Sequence, residues 1–113
     1  DADLVLIDVG LNHTHEGEYI PPNAGGDRPS LLLPLHEQKL VADALSVSSN
    51  VVVAITSGAN ILVEEFADKA KAILWLGYPG AMGGMALAEI LAGEVNPSGR
   101  MPSATPKTPA DWV

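Results

Sequence analysis

Three stretches of this chain are short and almost continuously apolar: residues 4–9 (LVLIDV), 51–56 (VVVAIT) and 72–76 (AILWL). Glycine or proline closes each of them, at Gly10, at Ser57-Gly58 and at Gly77-Tyr78-Pro79-Gly80. Such runs predict strands buried on both faces, as in a parallel sheet. Between them the apolar spacing becomes that of a helix. Over residues 35–45 it sets Leu35, Val41, Ala42 and Leu45 near one face, with Glu37, Lys39 and Asp43 on the other. Pro34 suits the first turn of that helix, and Glu37 suits its amide-rich start. Residues 81–91, rich in Ala, Leu and Met, predict a second helix that stops at Gly93. Residues 62–69 predict a weaker one.

Strand alternating with helix means an α/β fold of βαβ units, with right-handed crossovers and helices on both faces. Three strands are few for such a sheet, and two edges with incompletely covered faces would remain. The chain therefore reads as part of a larger domain, or as one that pairs with something, a homo-oligomer included. Residues 12–34 and 96–113 fit neither period, and the second segment holds four of the nine prolines. Connections longer than about 12–15 residues are usually functional or disordered.

Composition narrows the function. Apolar residues make up 47% of the 113 and charged residues 18%, enough for one packed core. The net charge of −8 argues against nucleic acid and anionic membrane surfaces as partners, since both need clustered cations. The acids are uneven: Asp1, Asp3, Asp8, Glu16, Glu18 and Asp27 all precede Arg28, the first Lys or Arg. With no cysteine, disulfides and thiolate zinc sites are excluded. No apolar run approaches the roughly 18 residues of a membrane span, and the start of the chain lacks the basic region of a signal peptide.

The loop after the first predicted strand is the richest in chemistry. His13, His15, Glu16, Glu18 and Tyr19 fall within seven residues, beyond the carboxyl end of a strand, where open α/β sheets build their sites. A glutamate there serves as a general acid if burial or a neighbouring carboxylate raises its pKa. Glu16 and Glu18, two apart, would share a side of an extended segment and repel. A solvated acidic loop explains the same composition. Zinc accepts His13, His15, Glu16 and Glu18 as ligand types, yet His-x-His without a second cluster is a weak signal, and no metal or cofactor is expected.

Other features favour scaffolding. Residues 77–84 (GYPGAMGG) follow a strand and open a helix but match neither a dinucleotide fingerprint nor a P-loop. Gly83 and Gly84 are expected to let the helix approach the sheet. Arg100, in the turn at residues 96–102, is expected to anchor the tail. Trp75 reads as core, and Trp112 as a ring that could stack on a sugar. Asp27-Arg28 reads as a bridge at the base of the loop. Ser57-Gly58 and Ser98-Gly99 lack the G-x-S-x-G frame of a nucleophile elbow.

Taken in order, four blocks resemble a known family. They are Val-Gly-Leu-Asn, then Glu-x-Glu, then Gly-Asp-Arg-x-x-Leu-x-Leu-Pro-x-x-x-Gln (residues 9–38); Val-Val-Val-x-x-x-Ser-Gly (51–58); Ala-Ile-Leu-Trp-x-x-Tyr-Pro-Gly-x-x-Gly-Gly (72–84); and Gly-x-x-Asn-Pro-Ser-Gly-Arg-x-Pro (93–102) followed by Thr105-Pro106-Lys107. Together they resemble the C-terminal α/β sandwich domain of family 3 glycoside hydrolases, the β-glucosidases, β-xylosidases and relatives. The resemblance implies a three-layer, flavodoxin-like sandwich with a mainly parallel sheet, of which the first strands would precede Asp1. It implies a retaining mechanism on a β-linked saccharide, with the aspartate nucleophile on a preceding (β/α)₈ barrel domain that this chain lacks. It also implies a glutamate acid/base in residues 12–27. In long-loop members that glutamate lies eleven residues before the Asp of Gly-Asp-Arg, which carries the role to Glu16, with Glu18 as the fallback. Shorter-loop members, with Glu-x-Glu-x-x-Asp-Arg, also map it to Glu16. Ser103-Ala104-Thr105-Pro106 departs from the family's aromatic-flanked Thr. The family is often exported, which leans toward an extracellular or periplasmic setting. A non-catalytic carbohydrate-binding or interaction module is the alternative function.

Overall fold

The computed structural model describes residues 2–16 and 28–111. Three strands, β1 (Val5–Gly10), β2 (Val51–Thr56) and β3 (Ala72–Trp75), form one parallel sheet in the order β1-β2-β3. Val5 pairs with Val51 and Gly10 with Thr56, while Val52 pairs with Ala72 and Ile55 with Trp75. The strands advance one way across the sheet, so right-handed crossovers place both connections on one face. The longer is α2 (Leu35–Val47), which packs against β1 and β2; the shorter holds α3 (Glu64–Ala67). A single helical turn, α1 (His13–Glu16), opens the loop after β1, and α4 (Gly83–Leu91) follows β3 through a 3₁₀ turn at Gly80–Met82. No helix among the described residues is long and apolar enough to cross a membrane.

β2 is central and buried from Val51 to Ile55, which is why its sequence is apolar at every position. β1 alternates instead: Ile7 and Val9 enter the core while Leu6 and Asp8 face out. Val41 of α2, Leu11, Leu33, Ile61 and Phe66 complete the core.

Several expected boundaries move. β3 stops at Trp75, although the Leu76 amide still donates to the Ile55 carbonyl (2.8 Å). α2 runs on to Val47 and is rotated from the expected phase: Val41 is buried with Ala44 and Leu45 packed beside it, but Leu35 is 82% exposed and Ala42 also faces out. Leu35 is the first residue of the helix and lies at its rim, so it does not set the buried stripe. The helix expected over residues 62–69 is one turn. Gly83, not Ala81, opens α4, and Gly93 (φ +76°) ends it as expected, with its amide on the Ile90 carbonyl (3.1 Å). Gly83 does not meet the sheet: a Cβ there would fall 2.4 Å from Pro79 Cγ, while Gly84 faces open space.

Candidate functional site

The loop after β1 starts with a cap. Asn12 Oδ1 accepts from the Thr14 amide (2.9 Å), and the Asn12 carbonyl accepts from the His15 and Glu16 amides (2.9 and 3.0 Å). This is an N-cap for the turn His13–Glu16, so Glu16 leaves a helical turn rather than an extended segment. His15 Nδ1 accepts from the Asn12 amide (3.3 Å), and among the described residues no three ligand-type side chains converge as a metal site. Glu18, Tyr19, Asp27 and Trp112 lie outside the described residues.

Glu16 sits where the carboxyl ends of all three strands converge. Its Oε2 accepts from the Gly58 amide just past β2 (2.8 Å) and from the Tyr78 hydroxyl just past β3. Its Oε1 pairs with Arg28 Nη1 at 3.3 Å, and the two side chains are only 11% and 10% exposed. Arg28 Nη1 also donates to the Asn60 carbonyl (2.9 Å). Asn60, itself buried, fixes the tail: its Nδ2 donates to the Ala104 carbonyl, and its Oδ1 accepts from Ser103 Oγ, both at 2.9 Å. Asn60, not the exposed Arg100, therefore anchors the tail in this region, and it does so at the segment that departs from the family pattern. Trp75 packs against the core as expected, with its indole N–H donating to buried Ser57 Oγ (3.0 Å). Of the expected Asp27-Arg28 bridge, Asp27 lies outside the described residues, while the Arg28 guanidinium joins the loop to Asn60.

Burial pushes the Glu16 carboxyl up, but the Tyr78 hydroxyl, the Gly58 amide and the Arg28 guanidinium outweigh it and hold the pKa below the ordinary value. The expectation that the Glu16–Glu18 pair raises the pKa of one member falls in part on Glu18, which lies outside the described residues. The Tyr78 phenol moves the other way, up from 10.0, chiefly because its hydroxyl hydrogen-bonds to that carboxylate. Both shifts couple to folding. Ionised Glu16 adds stability above its unfolded value near 4.5, and this is lost as pH falls through the lowered folded value. Tyr78 adds stability below its unfolded value near 10.0, and this is lost as pH rises through the raised folded one. Between about pH 5 and pH 2, the urea midpoint of the native chain is therefore expected to fall more steeply than that of Glu16→Gln. Parallel acid limbs would mean that Glu16 is not held in this way.

Tyr78, Gly58 and Asn60 were not singled out as site residues by the sequence reading. The available signal was position, since each lies just past the carboxyl end of β2 or β3.

The model of the glycosyl hydrolase family 3 C-terminal domain matches residues 1–112. The chain belongs to glycoside hydrolase family 3. It is 43% identical over 105 residues to a β-xylosidase/α-L-arabinofuranosidase of Medicago sativa, covering 89% of this chain and 13% of that protein. It is 39% identical over 106 residues to a probable β-glucosidase J of Aspergillus fumigatus, covering 94% and 11%. Among solved structures, a β-D-glucoside glucohydrolase of Trichoderma reesei superimposes with a TM-score of 0.85 at 29% identity, over 98% of this chain and 16% of that one. A family 3 β-glucosidase of Bifidobacterium adolescentis gives 0.73 at 34% identity, over 84% and 13%. The chain thus spans roughly an eighth of the length of these relatives, and its parallel α/β sheet is that of the family's C-terminal domain.

Proposed function

We propose that this chain is the part of a retaining β-glycosidase, of β-glucosidase or β-xylosidase type, that carries the acid/base carboxylate. In this reading its strand-end face adjoins a (β/α)₈ barrel domain that holds the aspartate nucleophile and the β-linked saccharide. The observation that carries the reading is the place of the loop. It leaves the carboxyl end of β1, and Glu16 at its start is met by residues leaving β2 and β3, on the rim where open α/β sheets form sites. Retention needs a second carboxylate about 5–5.5 Å from the nucleophile. That group gives a proton to the departing glycosidic oxygen, then takes one from the water that completes the reaction.

The resemblance to long-loop family members, whose glutamate lies eleven residues before the Asp of Gly-Asp-Arg, gives this part to Glu16. A second reading gives Glu16 the anchoring of the loop and Glu18 the proton, and the partners of Glu16 favour it. A general acid must be protonated near the working pH. A carboxylate fixed by an amide, a phenol and a guanidinium is instead held ionised.

The isolated chain is expected to release no nitrophenol from nitrophenyl β-glucoside or β-xyloside, whereas a polypeptide joining it to its barrel domain releases it. Release by the chain alone, or none by the joined polypeptide, would overturn the proposal. Titration calorimetry with glucose and cellobiose tests the binding-module alternative, which requires tight sugar binding by the chain alone.

A further inference from the structure

We propose that Tyr78 is a positioning residue of this site: its hydroxyl latches Glu16, and with it the start of the acid/base loop, to the turn that follows β3. The inference rests on the reading above only in calling the loop catalytic; the latch itself stands on geometry.

The turn is built to aim this side chain. Tyr78 and Pro79 lie between Gly77 (φ +62°) and Gly80 (φ +70°), and left-handed backbone at both positions is open to glycine without strain. The far side of the turn is pinned where Pro79 fills the space in front of Gly83. The near side is kept open by Gly58. A Cβ there would fall 2.8 Å from Tyr78 Cε2 and 3.3 Å from Glu16 Oε2, so the missing side chain is the room that the ring and the carboxylate share. One glycine thus supplies both an amide to Glu16 and the gap through which Tyr78 reaches it.

The two sides of the clasp differ. Arg28 is nine-tenths buried and tied to the Asn60 carbonyl, so its side is fixed. Tyr78 is 58% exposed, so its ring is not held by burial, and the hydroxyl bond to Glu16 is what places it. Among the described residues, Arg28 and Tyr78 are the titratable groups that bear on the Glu16 carboxyl. Removing the phenol hydroxyl takes away a donor that stabilises the carboxylate, and with it the bond that places the ring.

The test is a carbon-13 NMR titration of the Glu16 carboxyl in the 113-residue chain, with Tyr78→Phe and Gly58→Ala alongside. In Tyr78→Phe the carboxyl is expected to titrate at higher pH than in the native chain, the amide signals of residues 13–16 to shift, and the urea midpoint at neutral pH to fall with the stability that the lowered Glu16 value had supplied. Gly58→Ala, which displaces the ring, is expected to move the titration the same way. A Glu16 titration unchanged in Tyr78→Phe would overturn the latch, whatever Gly58→Ala does. The titration does not refer to catalysis. An inactive barrel-joined polypeptide would therefore overturn the glycosidase reading and leave the latch to be decided by NMR.

Discussion

In the barrel-joined polypeptide, replacing the acid/base glutamate by glutamine is expected to lower kcat/KM on an alkyl β-glucoside by about 10²–10⁴-fold. A dinitrophenyl β-glucoside should be nearly unaffected, because its leaving group departs without a proton. Azide should also raise kcat of that variant on the activated substrate, since an anionic nucleophile needs no base to attack the glycosyl-enzyme. The two candidate glutamates separate on this pattern. If Glu16 carries the proton, Glu16→Gln shows the selective loss and Glu18→Gln does not. If Glu16 is the anchor, as its partners favour, Glu18→Gln shows the selective loss. Glu16→Gln then lowers both substrates alike and destabilises the chain by about 3 kcal/mol, because the Arg28 guanidinium is left buried without its counter-charge. Selective loss in neither variant would remove this loop from the chemistry.

The site was half legible in the sequence, for a physical reason. The acidic loop announces itself by composition, and its place after β1 follows from a strand that ends in glycine. What holds Glu16 does not show locally. Its partners lie 42 residues away at Gly58 and 62 away at Tyr78, and only the parallel pairing of β1, β2 and β3 brings those strand ends together. These distant partners are what hold the Glu16 carboxyl below its ordinary value. The helical turn at Glu16 does not show in the sequence because its one local signal, the N-cap Asn12, also suits a loop.

The fold was more legible where burial is complete. β2 is apolar on both faces and its bounds match the sequence reading. α2 is the weak case: Leu35 and Val47 are apolar yet more than four-fifths exposed, so periodicity taken from them gives the wrong phase. Glu37, read as a favourable charge at the helix start, does more than that. Its Oε2 accepts from the Gly10 amide (3.0 Å) and ties α2 to the end of β1.

Among the described glycines, the one at that strand end leaves the least room for a side chain. Gly10 pairs with Thr56 across β1 and β2, and a Cβ on it would fall 1.9 Å from the Thr56 carbonyl oxygen. The obstacle is backbone, so no rotamer change relieves it; the strands must part or β1 must twist away. Either movement strains the bond from the Leu11 amide to the Thr56 carbonyl (2.8 Å) and the bond from the Gly10 amide to Glu37. Gly10→Ala is therefore expected to destabilise the chain by about 3 kcal/mol, at the upper end of ordinary overpacking. It should also shift the NMR signals of residues 11–16, because the loop starts from the displaced strand. Gly84→Ala is the control. That position is helical and meets nothing within 4 Å, so alanine should stabilise α4 by about 0.5–1 kcal/mol. Urea midpoints that move in opposite directions for the two substitutions are the expected result. A native-like midpoint for Gly10→Ala would mean that the close approach of β1 to β2 at this pair is not what fixes the rim on which Glu16 stands.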